Sequence, residues 1–380
     1  MSDHTVEGTV AEGFEPVREE FEAFLAGEEH PPEAQLAVHR DGERVVDLWA
    51  GAETTADSLA PVYSITKGAA HFVVALLVQE GVLDLDGRVA EHWPEFAAHG
   101  KGDLTLRQLV THQAGVVNID AGLTVAELAD DRVAAALLAE QKPAWEPGGG
   151  YGYHAFVIGA LTGEVVRRAT GRTIQQIFEE RVRAPYRLDF FLGLPAGAEG
   201  RCLPILPMLP TPAQQAELAA AAPPELLAHS FLMTGDQPVD LVDFVNTRHV
   251  RALGQASAGG VGNARGIAAF YSAVVSASGG RPPLLSPATL DEVTRLQVTG
   301  TDLVTGEPDH FLLGFENLPL VHPSLSPRSF GHSGAAGSLA LADAGRGLSY
   351  AYVRRRFAYP GGAAPENARL IEAVTASADR

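Results

Sequence analysis

Cysteine is nearly absent from this sequence. Cys202 is the single cysteine in 380 residues, which excludes an internal disulfide and a cysteine-rich metal site. The histidines and acidic residues also lack the spacing of metal ligands. We therefore expect neither a metal nor any other cofactor.

Positive charge is scarce too. The 47 acidic residues outnumber the 28 lysines and arginines, and the formal net charge is −19. This charge repels nucleic acids and anionic membrane surfaces, so we expect a small-molecule partner, no nucleic acid and no membrane. Residues 1–21 lack the basic start and the apolar core of a signal peptide, and no apolar run is long enough to span a membrane. The composition thus predicts a cytoplasmic protein and leaves the oligomeric state open.

Lysine is rare among the basic residues, occurring only as Lys67, Lys101 and Lys142. Of these, Lys67 alone follows a serine, Ser64, by three residues, and it begins an apolar run that continues to Leu77. The run predicts a buried helix, on which positions i and i+3 share a face. A lysine that is desolvated there can lose its proton, whereas an arginine cannot. Ser64 and Lys67 are therefore a candidate nucleophile and base, and the alternative is a buried lysine tethered to a surface serine.

The two ends of the chain share a strand pattern. One pair of β-prone runs flanks Asp41-Gly42 and another alternates around Ala344-Gly345, which predicts two hairpins with amphipathic helices beside them. Strands from both ends can join one antiparallel sheet. We therefore predict an α/β domain made of residues 1–80 and 257–380, with helices flanking the sheet.

The middle of the chain, residues 81–256, predicts an inserted, mainly helical domain. One helix is expected from residue 173 to about residue 183, ending before Pro185. Residues 195–256 are rich in proline and alanine and have weak periodicity, so we expect an irregular segment that covers a pocket.

Two further motifs accompany Ser64-Ile65-Thr66-Lys67. A loop rich in proline and glycine leads to Tyr153-His154-Ala155, at the start of a predicted helix, and His332-Ser333-Gly334-Ala335 lies in the C-terminal strand pattern. Their order and spacing resemble the serine β-lactamase and penicillin-binding-protein superfamily, most closely its class C-like branch and the family VIII carboxylesterases. The resemblance extends over nearly the whole chain. It implies a β-lactamase/DD-peptidase-like fold, α/β plus α, with an inserted helical domain.

The resemblance also implies a role for each motif. Ser64 would attack an acyl carbon and form an acyl-enzyme, while Lys67 takes its proton. Tyr153 would share this proton network and protonate the leaving group. The backbone N–H groups of Ser64 and Ala335 would form the oxyanion hole.

Departures from the family pattern narrow the substrate. The family has asparagine at the position of Ala155, and lactamases have lysine at the position of His332, which as a histidine is largely neutral at pH 7. Among the expected substrate-binding positions, Ala155, His332, Ser333 and Gly334, these two replacements point away from β-lactams. We therefore predict a serine hydrolase that cleaves short-chain or small-molecule carboxylic esters.

Several other functions remain open from the sequence. The acyl group could pass to an amine or alcohol in place of water. β-Lactamase, amidase or D-peptidase activity and an inactive binding domain are weaker alternatives, because Ser64, Lys67 and Tyr153 are intact while Ala155 offers no amide hydrogen bond.

Other residues could compete for the catalytic roles. Gly331 to Ala335 resembles the nucleophile elbow of α/β-hydrolases around Ser333, but no histidine follows His332 and a strand pattern replaces the required helix. Tyr151 could replace Tyr153 as proton donor, although a packed aromatic ring is its ordinary role. His112 and His154 could act as bases, although such histidines are more often packed donors.

Overall fold

The computed structural model describes residues 5–380 except 29, 31, 222, 235–237 and 309. Its strands, in chain order, are β1 (Glu7–Val10), β2 (Ala34–Arg40), β3 (Glu43–Ala50), β4 (Ala60–Pro61), β5 (Phe190–Phe191), β6 (Val261–Gly262), β7 (Ser329–Ser333), β8 (Leu339–Asp343) and β9 (Leu348–Arg354). They form a six-stranded sheet in the order β1-β3-β2-β9-β8-β7 and a three-stranded sheet in the order β4-β6-β5.

Both ends of the chain build the larger sheet, which confirms the predicted antiparallel fold. Strands β2 and β9 pair antiparallel in its centre, with Leu36 opposite Tyr352. The turn between β2 and β3 has positive φ angles of 50° at Asp41 and 90° at Gly42, the backbone that a tight two-residue hairpin requires. Strand β1, which the sequence reasoning missed, adds an edge beside β3.

The α-helices are α1 (Glu15–Gly27), α2 (Ile65–Gln79), α3 (Val89–His92), α4 (Leu106–Val110), α5 (Val125–Ala129), α6 (Asp131–Glu140), α7 (Ile158–Thr170), α8 (Ile174–Phe178), α9 (Ala184–Tyr186), α10 (Pro212–Ala220), α11 (Glu225–Ser230), α12 (Leu241–Asn246), α13 (Arg248–Leu253), α14 (Ala264–Val275), α15 (Pro287–Thr294) and α16 (Glu366–Ala378). Short 3₁₀ helices span Pro94–Gly100, Ala196–Arg201 and Leu318–Leu320, and a π-helical turn spans Glu179–Arg183. Among the described residues, every helix is too short or too polar to cross a lipid bilayer.

Apolar side chains cover the larger sheet on both faces. Leu36 and Val38 of β2 join α1 and α16 in one apolar cluster, whereas Ala37, between them, belongs to the other main cluster. This second cluster contains α2 and α14, and Ser349 of β9 donates a hydrogen bond to the carbonyl of Ala268 in α14. The alternation along β2 follows the two-residue period of a strand, so it fixes which helices lie on which face.

Two expectations about the middle of the chain were wrong. Residues 195–256 are not irregular throughout, because they contain α10 to α13, each only six to nine residues long. Helices of this length give too few turns for a visible period. The helix predicted to end before Pro185 is followed directly by α9, because the π-helical turn ends at Arg183 and Pro185 lies among the first residues of α9, where its missing N–H removes no hydrogen bond of that segment. The domain limits at residues 80 and 257 stay a prediction.

Candidate active site

Ser64 lies at the N-terminus of α2, the central buried helix. All side chains from Ile65 to Leu77 are buried, which confirms the predicted buried helix, whereas Ser64 is partly exposed. Tyr63, directly before it, has a φ of 48°, a strained conformation for a residue with a side chain. The turn therefore presents the serine hydroxyl at the positive end of the α2 dipole.

Lys67 lies one turn further along α2 and is completely buried. Its Nζ is 2.8 Å from Ser64 Oγ, 2.7 Å from the Ala155 carbonyl oxygen and 3.0 Å from the Ser257 carbonyl oxygen. A neutral amine has two N–H donors and one lone pair. The two carbonyls accept the two N–H groups, which leaves the lone pair directed at the serine hydroxyl.

Burial lowers the pKa of Lys67 to about 7, although the nearby Glu316 carboxylate acts in the opposite direction. Near neutral pH a large fraction of Lys67 is therefore the free amine that the geometry requires. This is the environment of a general base.

Tyr153 completes the hydrogen-bonded group. Its phenol donates to Ser64 Oγ at 2.8 Å, and Lys67 Nζ lies 4.9 Å from the centre of its ring. The ring stacks on Phe311 with the planes 7° apart. Tyr151 instead packs its ring edge-on against Phe311. The structure therefore brings Tyr153 to Ser64 as the sequence predicted.

The residue after β7, Gly334, closely approaches the segment before Ser64. A Cβ atom on Gly334 would lie 2.7 Å from the Val62 carbonyl oxygen, so only glycine fits there. Gly334 brings Ala335 beside the start of α2. In the described part of the chain, no side-chain or backbone acceptor takes the N–H groups of Ser64 and Ala335. Both donors are thus available for a substrate oxygen.

A carboxylate that the sequence reasoning missed, Glu316, holds the last residues of β7. Ser333 donates to it through its N–H at 3.0 Å and its hydroxyl at 2.8 Å, and His332 Nδ1 lies 3.0 Å from it. Burial raises the pKa of Glu316, but His332 and the Ser333 hydrogen bonds outweigh burial, and the net pKa is lowered. In the sequence, Glu316 stands out only as the single acidic residue of an apolar stretch, Phe311 to Leu320.

Ala155 contributes through its backbone. Its carbonyl accepts from Lys67, its N–H donates to Ser230 Oγ at 2.8 Å, and its methyl group packs into an apolar cluster. Ser257 likewise supplies a carbonyl to Lys67 and was not predicted. Backbone acceptors of this kind leave no trace in residue type, so no sequence signal pointed to them.

The residues considered as alternative nucleophile or base make contacts that do not suit these roles. The Ser333 hydroxyl donates to Glu316, so its partner is a carboxylate and not a base of an elbow. His112 Nδ1 accepts the N–H of His154, and His154 Nδ1 lies 2.6 Å from the Gly152 carbonyl. Burial lowers the pKa of both histidines, to about 4 for His154. Among the described residues, no group of three or more potential ligands could hold a metal ion.

A pocket of about 640 Å³ shares an apolar cluster with Tyr153, although its lining residues do not include Ser64, Lys67 or Tyr153. Leu232 and Val239 line it and also pack in the apolar cluster that includes Tyr153 and Ala335. Its remaining lining residues are 118–124, Glu127, His229 and Thr234. The pocket therefore has the volume for a small organic substituent and lies against the apolar cluster that packs around Tyr153.

Comparisons with known proteins agree on one family. The family model described as Beta-lactamase matches residues 17–375. The chain is 31% identical to "Esterase/beta-lactamase LipL" of Mycobacterium tuberculosis (strain ATCC 25618 / H37Rv), over 86% of this chain and 77% of that protein.

Two solved structures are similar over almost the full length. EstA from Arthrobacter nitroguajacolicus Rue61a has a TM-score of 0.88 and 38% identity over 98% of both chains. A structure described as a family VIII carboxylesterase has a TM-score of 0.86 and 35% identity over 98% of this chain and 100% of that chain.

Proposed function

The chain belongs to the Beta-lactamase family, and we propose that it is a serine hydrolase that cleaves small carboxylic esters through an acyl-enzyme on Ser64. One observation carries the proposal: Lys67 Nζ and Tyr153 Oη each lie 2.8 Å from Ser64 Oγ. The similar EstA, LipL and family VIII carboxylesterase support esters as the substrate class.

Acylation follows from this arrangement. The Ser64 hydroxyl gives its proton to the Lys67 lone pair as Oγ attacks the acyl carbon. The carbonyl oxygen becomes negative and accepts hydrogen bonds from the N–H groups of Ser64 and Ala335, and losing one such donor costs about 3 kcal/mol of transition-state stabilisation. The bond to the alcohol then breaks, and the departing oxygen takes the proton of Tyr153. The proton held on Lys67 restores Tyr153.

Deacylation uses the same groups in reverse order. Water attacks the acyl carbon, its proton passes to the Lys67 and Tyr153 pair, and Ser64 Oγ leaves and regains a proton. Lys67 alternates between amine and ammonium within one turnover. A base with a pKa near the working pH suits this alternation.

Two features favour esters over lactams and amides. Ala155 has no side-chain amide to bind a substrate amide, and His332 donates from Nδ1 to acceptors on the protein itself. The substrate is thus an uncharged or weakly held acyl donor, bound without nucleic acid or membrane. We further propose a cytoplasmic location, supported by the single cysteine and the acidic composition, which cell fractionation can test.

The test uses a fluorophosphonate and short-chain p-nitrophenyl esters. We expect hydrolysis of the esters, one fluorophosphonate adduct mapped to Ser64 by peptide mass spectrometry, and loss of both in Ser64→Ala. Ser333→Ala is the matched control and should keep the adduct. An adduct on Ser333, or unchanged turnover by Ser64→Ala, would refute the assignment.

Acyl transfer is a second candidate, because the pocket of about 640 Å³, which shares an apolar cluster with Tyr153 and Ala335, has room for an acceptor other than water. The same acyl-enzyme would then be attacked by an alcohol or amine. Adding candidate acceptors during ester turnover and measuring the product ratio decides between them. Free acid as the sole product at high acceptor concentration rejects transfer.

A further inference from the structure

The Glu316 carboxylate is a fixed negative charge at the edge of the proposed site. It is clamped by three contacts at 2.8 to 3.0 Å from Ser333 and His332, and about a quarter of its side chain is exposed. In the described part of the chain no lysine or arginine forms an ion pair with it. Its charge therefore lacks a permanent counter-ion.

His332 is the basic side chain in direct contact with Glu316, and its charge depends on a proton. His332 Nδ1 lies between two acceptors, Glu316 Oε1 at 3.0 Å and the Ser333 carbonyl at 2.9 Å, so Nδ1 carries a hydrogen in every protonation state. Whether the ring is charged is then decided at Nε2, which has no partner among the described residues. A lysine in this place would put an ammonium charge beside Glu316, whereas the charge of a histidine depends on a second ring proton.

The field of Glu316 reaches the reacting groups. It raises the pKa of Lys67 against the effect of burial, so its charge acts across the site to the base. The His332 ring lies 6.0 Å from the ring of Tyr153. Because Tyr153 protonates the departing alcohol in the proposed reaction, Glu316 and His332 flank the alcohol half of the ester.

We propose that Glu316 determines the charge preference for the alcohol half of the substrate, favouring cationic or neutral alcohols and rejecting those that carry a carboxylate. The proposal deepens the proposed function and rests on it. A purely structural Glu316 would clamp β7 through Ser333 without any effect on substrate charge. The two roles differ in what they predict for matched substrates.

Three acetate esters with similar shape and different charge test the proposal. Acetylcholine is cationic, 3,3-dimethylbutyl acetate is its neutral isostere, and 4-acetoxybutanoate is anionic. Acetic acid release is measured by pH-stat at pH 8. We expect kcat/KM for the anionic ester to be at least about tenfold below that for the neutral ester, with the cationic ester equal to or above the neutral one.

Glu316→Gln keeps the size of the side chain and removes its charge. A unit charge ~10 Å away changes binding ~2-fold at an effective dielectric constant of ~80 and ~15-fold at ~20. We expect Glu316→Gln to lower the ratio of kcat/KM for the neutral ester to kcat/KM for the anionic ester by a factor within this range. Asp291→Asn, which removes an exposed carboxylate paired with Arg328, is the matched control and should leave the ratio unchanged.

His332→Lys is an independent variant that retains Glu316 and supplies a permanent counter-ion. It should raise kcat/KM for the anionic ester relative to the neutral ester. Equal turnover of neutral and anionic esters by the unmodified protein, or an unchanged ratio in both variants, overturns the proposal. Failure of all three esters together with no fluorophosphonate adduct at Ser64 overturns the proposed function instead.

Discussion

The protonation of Lys67 predicts the pH dependence of the reaction. The active form is the free amine, and burial lowers its pKa to about 7, so kcat/KM should rise with pH through about 7 and reach a plateau above it. For a single group with this pKa, kcat/KM at pH 6 is about one tenth of the plateau value. Initial rates on 3,3-dimethylbutyl acetate, followed by pH-stat between pH 5.5 and 9, measure this limb.

Glu316→Gln tests whether Lys67 causes this rise of kcat/KM with pH. Its carboxylate favours the ammonium form of Lys67, so removing the charge should move the midpoint to lower pH. Lys101→Met is the matched control, because Lys101 is equally buried but donates to the Gln141 carbonyl, and its replacement should leave the midpoint in place.

A histidine near Lys67 could produce the same rise of kcat/KM with pH. Burial lowers the pKa of His71 to about 3 and holds that of His112 well below its ordinary value, so neither titrates near pH 7. His332→Gln removes the remaining nearby histidine, and the variant should still show the rise of kcat/KM with pH. A profile that is flat from pH 6 to 8, or one that Glu316→Gln leaves unmoved, would refute the reasoning.

Four further outcomes are expected. Because the folded-state pKa of Lys67 lies below its unfolded value of 10.5, ionising Lys67 opposes folding fully well below pH 7 and not at all well above 10.5. In urea unfolding, the stability gained by Lys67→Met over the unmodified protein should shrink by ~3.5 kcal/mol from pH 7 to 10. Tyr153→Phe should lower kcat by about 10²- to 10⁴-fold with little change in KM, as measured by steady-state kinetics, and an unchanged kcat would exclude it as proton donor. Gly334→Ala should reduce kcat because its methyl group would clash with the Val62 carbonyl at 2.7 Å and displace Ala335, and normal kinetics would show that this close approach is not needed. Penicillins should be hydrolysed slowly if at all, and His332→Lys should increase that rate in a spectrophotometric assay; rapid turnover by the unmodified protein would contradict the reading of His332.

Much of the fold was predictable because its signals are local. The turn at Asp41-Gly42 and the alternation of β2 each depend on residues only a few positions apart. Both hairpins form as expected. The short helices between residues 195 and 256 were missed because each has too few turns to show a period, and α10 and α12 begin at side-chain caps. Asp240, for example, caps α12 by accepting the N–H of Asp243.

The sequence by itself determined the chemistry that one helical turn can hold. Ser64 and Lys67 are three residues apart, so their meeting follows from helix geometry, and the apolar run around them already implied a desolvated amine. Tertiary structure alone decided what surrounds that amine. Glu316 and the carbonyls of Ala155 and Ser257 come from distant parts of the chain, and a backbone oxygen has no side-chain identity to read. Only the packing of these segments against α2 fixes the hydrogen bonds and the electric field that set the proton affinity of Lys67.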